Sequence, residues 1–452
     1  MAKKTSSRFV CNNCGAVYSS WTGRCSQCGE WNSIQEELTA GGLGAATKSG
    51  HILNTASVPK AAKSNAIRLE SGINEIDNVL GGGIVRGSVN LIAGQPGIGK
   101  STLLLQLAYS VAANSKVLYV SGEESEQQIG MRAERLGTIK KELQIATSNS
   151  ADDIAATIAS DAYDLVIVDS VQTISCQSIA SAAGSMAQIT NSTQLLTLAA
   201  KKTNTALILV GHVTKEGSIA GPKVLEHLVD VVLQLEGDRY GGFKLLRPVK
   251  NRFGSTNEAG IFEMVENGMQ PVSNPSAALL EERQVSDGSI VLATLEGSRP
   301  LLVEVQALVN KTSYGYPKRA ASGFDLNRLN LLVAMLERRT KLKLAEYDIY
   351  INIVGGIKIT EPAADLAVCL AIGSAAKGLQ LKKNAVVFGE VGLSGEVRHV
   401  PFAEKRLGEA VKLGFDGAIG PKVRGSSGVG KDKKYYPVSD VRSALNQFLE
   451  KD

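Results

Sequence analysis

The chain has 452 residues, 44% of them hydrophobic, which is enough for two or three domains with separate cores. Its 49 basic and 44 acidic residues give a net charge of +5, which suits an anionic partner without requiring one. No apolar run reaches the roughly 18 residues of a membrane span, and no apolar signal segment follows Lys3 and Lys4. The sequence therefore predicts a cytoplasmic protein without a membrane partner.

Four of the six cysteines lie near the N-terminus with the spacing Cys-x2-Cys-x10-Cys-x2-Cys. Two CxxC pairs in a cytosolic chain indicate a metal site rather than a disulfide scaffold. Four thiolates suit Zn²⁺ best, with a rubredoxin-like iron site as the alternative. We expect a structural zinc finger over residues 1–35. Its ligands would be Cys11, Cys14, Cys25 and Cys28.

After a linker rich in small and polar residues (36–66), the segment 67–272 alternates apolar runs of strand length with amphipathic runs of helix length. This alternation predicts an α/β domain with a parallel sheet and crossover helices. Its candidate strands are SVNLIAG, KVLYVSG, DLVIVDS, TALILVGH and DVVLQLEG.

The segment GQPGIGKS fits the P-loop pattern GxxxxGK[ST], with a predicted strand before it and a predicted helix after it. Its backbone N–H groups would cradle the phosphates of ATP, Lys100 would reach the β- and γ-phosphates, and Ser101 would hold Mg²⁺. The nucleotide-binding residues we predict are Gly94, Gln95, Pro96, Gly97, Ile98, Gly99, Lys100, Ser101 and Thr102.

Acidic residues follow two of the predicted strands. Asp169 ends the run DLVIVD as a Walker B aspartate does, and it would hold Mg²⁺ together with Ser101. Glu123 and Glu124 follow KVLYVSG, where one of them could orient water, although carboxylates are also favoured at a helix start. His212 follows another strand, either as a sensor of the γ-phosphate or as an ordinary turn histidine.

In the segment PVKNRFGST, Lys250 and Arg252 stand two residues apart. On an extended segment this spacing points two cations to the same side. The candidate anions are a DNA backbone, a structural carboxylate and the γ-phosphate of ATP on a neighbouring subunit.

Residues 273–452 show a different pattern, which predicts an α+β domain. The run FDLNRLNLLVAMLERR indicates an amphipathic helix capped by Asp325, with Leu326, Leu329, Val333 and Leu336 on one face. The region 310–343 is strongly basic, consistent either with a nucleic-acid backbone contact or with a solvated surface. Its basic residues are Lys311, Lys318, Arg319, Arg328, Arg338, Arg339, Lys341 and Lys343.

As a set, the four-cysteine finger, GQPGIGKST, KNRFG and GEVGLSGEVRHV resemble the bacterial DNA repair RadA (Sms) family over essentially the whole chain. The resemblance implies a RecA-like ATPase core, a homo-hexameric ring, and a DNA-dependent ATPase that promotes branch migration beside the RecA recombinase on single-stranded and branched DNA. It favours Glu123 as the catalytic carboxylate, with Glu124 second. It also implies that Arg252 acts as a finger on a neighbouring subunit's ATP, with Lys250 as its partner.

The C-terminal domain resembles the proteolytic domain of Lon. Ala363 occupies the position of the serine nucleophile, and the lysine position falls on Glu404, with Lys405 one residue away. Without the hydroxyl and the lysine, we expect no peptide hydrolysis by that mechanism. A Lon-type protease and a KaiC-like regulatory ATPase acting on protein partners are the alternatives to the DNA motor.

Overall fold

The computed structural model describes residues 7–11, 17–18, 23–29, 31, 34–38, 57, 68–160, 162–212, 224–237, 242–313, 315–422 and 434–449. The chain forms two compact units, Met1–Asn65 and Ala66–Asp452. Within these described ranges, no helix combines the length and the apolar character that a membrane crossing needs.

The first unit contains a small antiparallel sheet whose described strands lie in the order β2-β1-β3. They are β1 (Ser7–Cys11), β2 (Val17–Tyr18) and β3 (Ile34–Leu38). Almost all of the predicted linker lies outside the described residues.

The second unit begins with a mixed sheet of nine described strands in the order β14-β13-β12-β11-β6-β10-β9-β7-β8. A separate two-stranded ribbon, β4 (Arg68–Leu69) with β5 (Ile84–Val85), precedes it. The strands of the large sheet are β6 (Val89–Gly94), β7 (Val117–Ser121), β8 (Leu143–Thr147), β9 (Leu165–Asp169), β10 (Ala206–His212), β11 (Val231–Gly237), β12 (Phe243–Asn251), β13 (Gly260–Val265) and β14 (Gly268–Pro271).

Helices cover both faces of this sheet, with one hydrophobic cluster on each face. Every residue of β6, β7 and β9 is buried, as expected for central parallel strands. The helices are α1 (Asn74–Leu80), α2 (Lys100–Val111), α3 (Glu126–Arg135), α4 (Ala151–Ser160), α5 (Met186–Thr203) and α6 (Val224–Leu228). The predicted α/β core with parallel strands and crossover helices is confirmed.

Two features of this sheet differ from the sequence prediction. Strand β8 is absent from the predicted strands. Its sequence LQIAT lacks the apolar run of the other parallel strands, because the strand is only half-buried. Beyond β11 the sheet continues with the antiparallel strands β12, β13 and β14. The segment PVKNRFGST therefore begins inside β12, a strand of the core.

The remainder of the second unit has the predicted α+β pattern, with seven described strands in the order β17-β18-β16-β15-β19-β22-β23. They are β15 (Ser289–Glu296), β16 (Arg299–Lys311), β17 (Arg319–Ser322), β18 (Tyr347–Ile353), β19 (Ala385–Val387), β22 (Gly417–Pro421) and β23 (Lys434–Val438). A two-stranded ribbon is formed by β20 (Glu390–Val391) and β21 (Val397–Arg398).

The helices of this part are α7 (Pro275–Leu280), α8 (Leu326–Arg339), α9 (Asp365–Lys377), α10 (Ala403–Lys412) and α11 (Val441–Leu449). Helix α8 has the predicted Asp325 cap, which accepts a hydrogen bond from the N–H of Arg328. One residue of its predicted apolar face is wrong, because Leu326 in the first turn is 44% exposed.

The hairpin between β15 and β16 connects the two parts of the second unit. Glu296 receives two hydrogen bonds from Arg247 on β12, of 2.5 and 2.7 Å. Arg299 donates to both carboxylate oxygens of Glu75 on α1, at 3.0 and 2.8 Å. Opposite charges at the tip of this hairpin therefore hold the C-terminal part against the nine-stranded sheet and helix α1.

Candidate functional site

The parallel strands of the core end at one edge of the sheet. Strand β10 pairs with β6 so that His212 lies opposite Gly94, and β7 pairs with β9 so that Ser121 lies opposite Asp169. Loops that follow these four strand ends are consequently close in space, as expected at the carboxyl edge of an open α/β sheet.

The P-loop runs from the end of β6 to the start of α2. Gly99, the residue before α2, has a φ of +109°, and a Cβ there would lie 2.6 Å from the terminal methyl groups of Met264 and Met269. The positive φ favours glycine at this position, whereas the two methionine side chains are flexible and could move away from a Cβ. The first turn of α2, with Ser101 and Thr102, has no acidic residue and no side-chain cap. Its N–H groups thus suit an anion.

Lys100 is buried and lies over the P-loop. Its Nζ donates to the carbonyl oxygens of Gly94 at 2.9 Å and Gln95 at 3.1 Å, and it lies 3.2 Å from Nδ1 of His212. Burial lowers the pKa of Lys100, while the nearby carboxylates of Asp169 and Glu123 act in the opposite direction. The lysine is thus placed at the mouth of the loop, close to two carboxylates.

Asp169 ends β9 and is nearly buried. Its Oδ2 accepts a hydrogen bond of 2.7 Å from the hydroxyl of Tyr119 on β7. Burial, followed by the charge of Asp169, raises the pKa of Tyr119 well above its usual value, so the tyrosine stays a donor. The peptide bond between Asp169 and Ser170 is cis.

The two candidate bases have different surroundings. Glu123 accepts a hydrogen bond of 2.7 Å from Ser170, and its Oε1 lies 3.6 Å from Nε2 of His212. Glu124 instead forms an ion pair with Arg132 of α3, at 2.8 Å. Glu123 is therefore the carboxylate that faces the P-loop lysine and the end of β9.

Tyr119 and Ser170 are the residues of this cluster that the sequence analysis missed. Tyr119 lies in the middle of an apolar strand run, where it is expected to be a core residue. The feature of the sequence that points to Ser170 is its position directly after Asp169, the residue at the Walker B position.

Lys250 and Arg252 lie at the opposite edge of the sheet. Lys250 donates to the carbonyl oxygens of Glu226 at 2.6 Å and Val229 at 2.8 Å, and Arg252 forms an ion pair of 3.0 Å with Asp230. Burial, followed by the charge of Arg252, lowers the pKa of Lys250. Within one chain, the cation pair thus binds carbonyl groups and a structural carboxylate.

Gly254, the glycine of KNRFG, lies in the bend that follows β12. Gly254 does not have a left-handed φ, but a Cβ there would lie 3.5 Å from the carbonyl oxygen of Leu80 and 3.6 Å from Cα of Gly81. Arg68 donates to the carbonyl oxygen of Phe253 at 2.9 Å. The turn therefore packs closely against the end of α1.

Only half of the predicted zinc site lies among the described side chains. Sγ of Cys25 is 3.1 Å from the hydroxyl of Tyr18 and accepts the N–H of Cys28 at 3.5 Å. These bonds, led by that of Tyr18, lower the pKa of Cys25 to about 6, which suits a metal-binding thiolate. Cys14 lies outside the described residues and the side chain of Cys11 is not described, so the four-thiolate site stays a prediction.

One basic residue of the region 310–343 is bound within the fold rather than available to a nucleic acid. Arg328 is bound to the buried carboxylate of Asp365 through two nitrogens, and it also donates to the carbonyl oxygen of Val391. Burial raises the pKa of Asp365, against the effect of Arg328. Arg328 therefore belongs to the packing of α8 against α9.

The residues at the Lon-like positions are all described. Ala363 is buried in a 3-10 turn at Pro362–Ala364, and Glu404 lies on α10. Nearby, fully buried Arg406 forms a bidentate pair with Glu361, at 2.7 and 2.8 Å. An ion pair thus joins the helix α10 to the segment that carries Ala363.

Two families match parts of the chain. Residues 55–218 match a family described as AAA domain, which contains the P-loop, Glu123 and Asp169. Residues 9–36 match a family described as rubredoxin metal binding domain, which contains all four clustered cysteines. The predicted ATPase and metal-binding character of these two segments is thereby supported.

Proteins described as DNA repair protein RadA match nearly the whole chain. The Brucella abortus protein is 46% identical over 96% of this chain and 95% of its own length, and that of Escherichia coli K12 is 44% identical over 99% of both. The Bacillus subtilis protein is 46% identical over 92% of this chain and 93% of its own. Among solved structures, the RadB recombinase covers 45% of this chain and all of its own, at 23% identity and a TM-score of 0.38.

Proposed function

The chain belongs to the RadA family of DNA repair proteins, and from this premise and the geometry above we propose that it is a DNA-dependent ATPase of recombinational repair. The observation that supports this most directly is the cluster at the carboxyl edge of the sheet. There His212 lies 3.2 Å from the ammonium of Lys100 and 3.6 Å from the carboxylate of Glu123. The charges of Asp169 and Glu123 both act on Lys100. In this proposal the enzyme hydrolyses ATP to act on single-stranded and branched DNA.

Hydrolysis of ATP requires a carboxylate that orients the attacking water. We assign this role to Glu123, because its carboxylate faces the cluster while that of Glu124 is bound to Arg132. Lys100 would bind the phosphates, and the open N-terminal turn of α2 would stabilise their charge.

The oxygen ligands at the strand ends fit a magnesium ion. Asp169 uses one carboxylate oxygen to accept the hydroxyl of Tyr119, and among the described residues its other oxygen stays available for the water shell of an ion. Ser101 offers a hydroxyl on α2. When bound, Mg²⁺ neutralises charge on the transferred phosphate.

The sheet geometry supports a role for Arg252 on a neighbouring subunit. Arg252 binds Asp230, whose carboxylate also accepts the N–H of Val89 at the start of β6, whereas the P-loop follows Gly94 at the end of β6. At about 3.3 Å per residue, these two ends are roughly 17 Å apart. Arg252 thus lies too far from its own P-loop, and we propose that it reaches the ATP of the next subunit in a homo-hexameric ring, with Lys250 as its partner.

For the C-terminal part we propose a scaffold that supports ring assembly and contacts DNA, without protease activity. The absence of a hydroxyl at Ala363 and of a lysine at position 404 supports this assignment. In this proposal the basic region 310–343 contacts the phosphate backbone, while Arg328 is held by Asp365. The N-terminal unit would hold Zn²⁺ through its four cysteines.

Membership in a DNA repair family also supports a cytoplasmic location, a role in branch migration and cooperation with the RecA recombinase. The test of the core proposal is the ATPase rate of the full chain with and without single-stranded DNA. We expect stimulation by DNA in the wild type and loss of both rates in Lys100→Ala. An ATPase that DNA does not stimulate would instead support the regulatory alternative, an enzyme that acts on protein partners.

A further inference from the structure

A serine outside the predicted site residues donates a hydrogen bond to the carboxylate assigned as the base. Ser170 is fully buried, and its Oγ donates a hydrogen bond of 2.7 Å to Oε1 of Glu123. We propose that Ser170 is a positioning residue that orients the carboxylate of Glu123 towards the attacking water. The proposal rests on the ATPase function given above, which does not by itself give Ser170 a role.

Both contacts made to the carboxylate by described residues fall on the same oxygen. Besides Ser170, Nε2 of His212 lies 3.6 Å from Oε1 of Glu123. The ammonium of Lys100 faces Nδ1 of His212 at 3.2 Å, and since an ammonium only donates, the histidine proton lies on Nε2, towards Glu123. Within the described part of the chain, Oε2 is therefore the oxygen left to accept a proton from water.

Further hydrogen bonds hold the backbone on both sides of the contact between Ser170 and Glu123. Oγ of Ser121 accepts the N–H groups of Glu123 at 3.2 Å and Glu124 at 2.9 Å, which sets the turn that carries the carboxylate. On the other side, the carbonyl oxygen of Ser170 accepts the hydroxyl of Thr173 at 2.8 Å. With both backbones held, the bond from Ser170 determines the rotamer of a side chain that is otherwise 46% exposed.

The position of the carboxylate matters because a small displacement of a catalytic group is costly. A misplacement of about 1 Å can lower a rate by roughly 10²-fold, and general-base catalysis itself contributes roughly 10²- to 10⁴-fold. Loss of the Ser170 hydroxyl would leave Glu123 in place but allow other rotamers. We therefore expect a lower kcat without a matching change in KM for ATP.

The experiment measures steady-state ATPase kinetics of the full chain for Ser170→Ala, Ser170→Thr, Glu123→Gln and the double variant Glu123→Gln/Ser170→Ala. Ser175→Ala is the matched control, because Ser175 lies in the same loop but its hydroxyl donates to the carbonyl oxygen of Asn149, at 3.4 Å. Melting temperature and affinity for a fluorescent ATP analogue are measured for every variant. Ser170→Cys, a weaker donor of similar size, replaces Ser170→Ala if that variant does not fold.

We expect Ser170→Ala to lower kcat about 10- to 100-fold with KM within twofold, and Ser170→Thr to recover most of it. In the Glu123→Gln background, adding Ser170→Ala should change the residual rate less than twofold, since the serine acts through the carboxylate. An equal loss in both backgrounds, or a Ser170→Ala enzyme with wild-type kcat, would overturn the proposal. A Glu123→Gln enzyme with wild-type kcat would instead contradict the assignment of the base.

Discussion

Glu123 and Glu124 are adjacent in the sequence, but their side chains lie in different environments. Glu123 faces Ser170 and His212 at the carboxyl edge of the sheet. Glu124 is bound to Arg132, whose side chain is largely buried, so its carboxylate is already paired within the turn and helix that follow β7. The structure thus separates two residues that the chemistry of the sequence leaves equivalent.

This separation leads to a prediction for two matched variants. We expect Glu123→Gln to lower kcat for ATP hydrolysis by roughly 10²- to 10³-fold with little change in nucleotide affinity, because a base is lost while the binding groups remain. Glu124→Gln should stay within about threefold of the wild-type kcat, since it loses only a partly exposed ion pair. Steady-state ATPase assays with a nucleotide-binding assay measure both, and the reverse ranking would assign the base to Glu124.

At the residue scale, the sequence predicts the motif residues but not the groups that support them. Lys100 and Asp169 are recognisable because each belongs to a motif with a fixed position relative to a strand. Lys100 follows a glycine-rich loop that suits phosphates, and Asp169 ends an apolar strand run. Tyr119 looks like any apolar strand residue until the register of β7 and β9 brings its hydroxyl to Asp169. Such cross-strand contacts depend on the order of strands in the sheet, which local patterns do not encode.

At the scale of elements, the antiparallel extension of the sheet explains where KNRFG lies. Because β12 runs antiparallel to β11, Lys250 and Asn251 at its end lie next to the beginning of β11. The spacing of Lys250 and Arg252 correctly predicts that both cations face the same neighbourhood, around Asp230. Asp230 and the two cations lie at the edge of the sheet opposite the P-loop, and this position could be predicted only from the direction of β12.

The hairpin tip that joins the two parts of the second unit gives a prediction about stability. Arg299 binds both oxygens of Glu75, which is nearly buried, so Arg299→Ala leaves a carboxylate without its cation. Removing one partner of a buried pair costs about 3 kcal/mol, which corresponds to a fall in Tm of roughly 5–10 °C. Differential scanning calorimetry of the full chain measures the shift.

The control for this variant is Lys412→Ala on α10, whose ion pair with Glu409 is 3.6 Å long and whose side chain is 77% exposed. An exposed pair of this kind contributes about 0–1 kcal/mol to stability, so the Tm of Lys412→Ala should differ little from that of the wild type. Equal shifts for the two variants would mean that the hairpin tip does not hold the C-terminal part against the core.

At the scale of the whole molecule, the alternation of strands and helices predicts the α/β core and the change to an α+β pattern after residue 273. The order of strands and the ion pairs at the hairpin tip are tertiary properties, and they do not follow from that alternation. The likeness to Lon depends on positions such as Ala363 and Glu404 and stays a proposal. The position of Arg252 opposite the P-loop edge is the feature with consequences for assembly.

If each subunit supplies a P-loop at one edge and Arg252 at the other, two inactive variants should restore each other. Lys100→Ala subunits retain Arg252, and Arg252→Ala subunits retain the P-loop. In a ring with head-to-tail interfaces, a 1:1 mixture then places an intact arginine beside an intact P-loop at roughly a quarter of the interfaces. We expect each variant alone to lack DNA-stimulated ATPase activity and the mixture to recover a corresponding fraction of it. Native mass spectrometry establishes that mixed rings form. Mixed rings without recovered activity would show that Arg252 acts within its own chain, as the partner of Asp230.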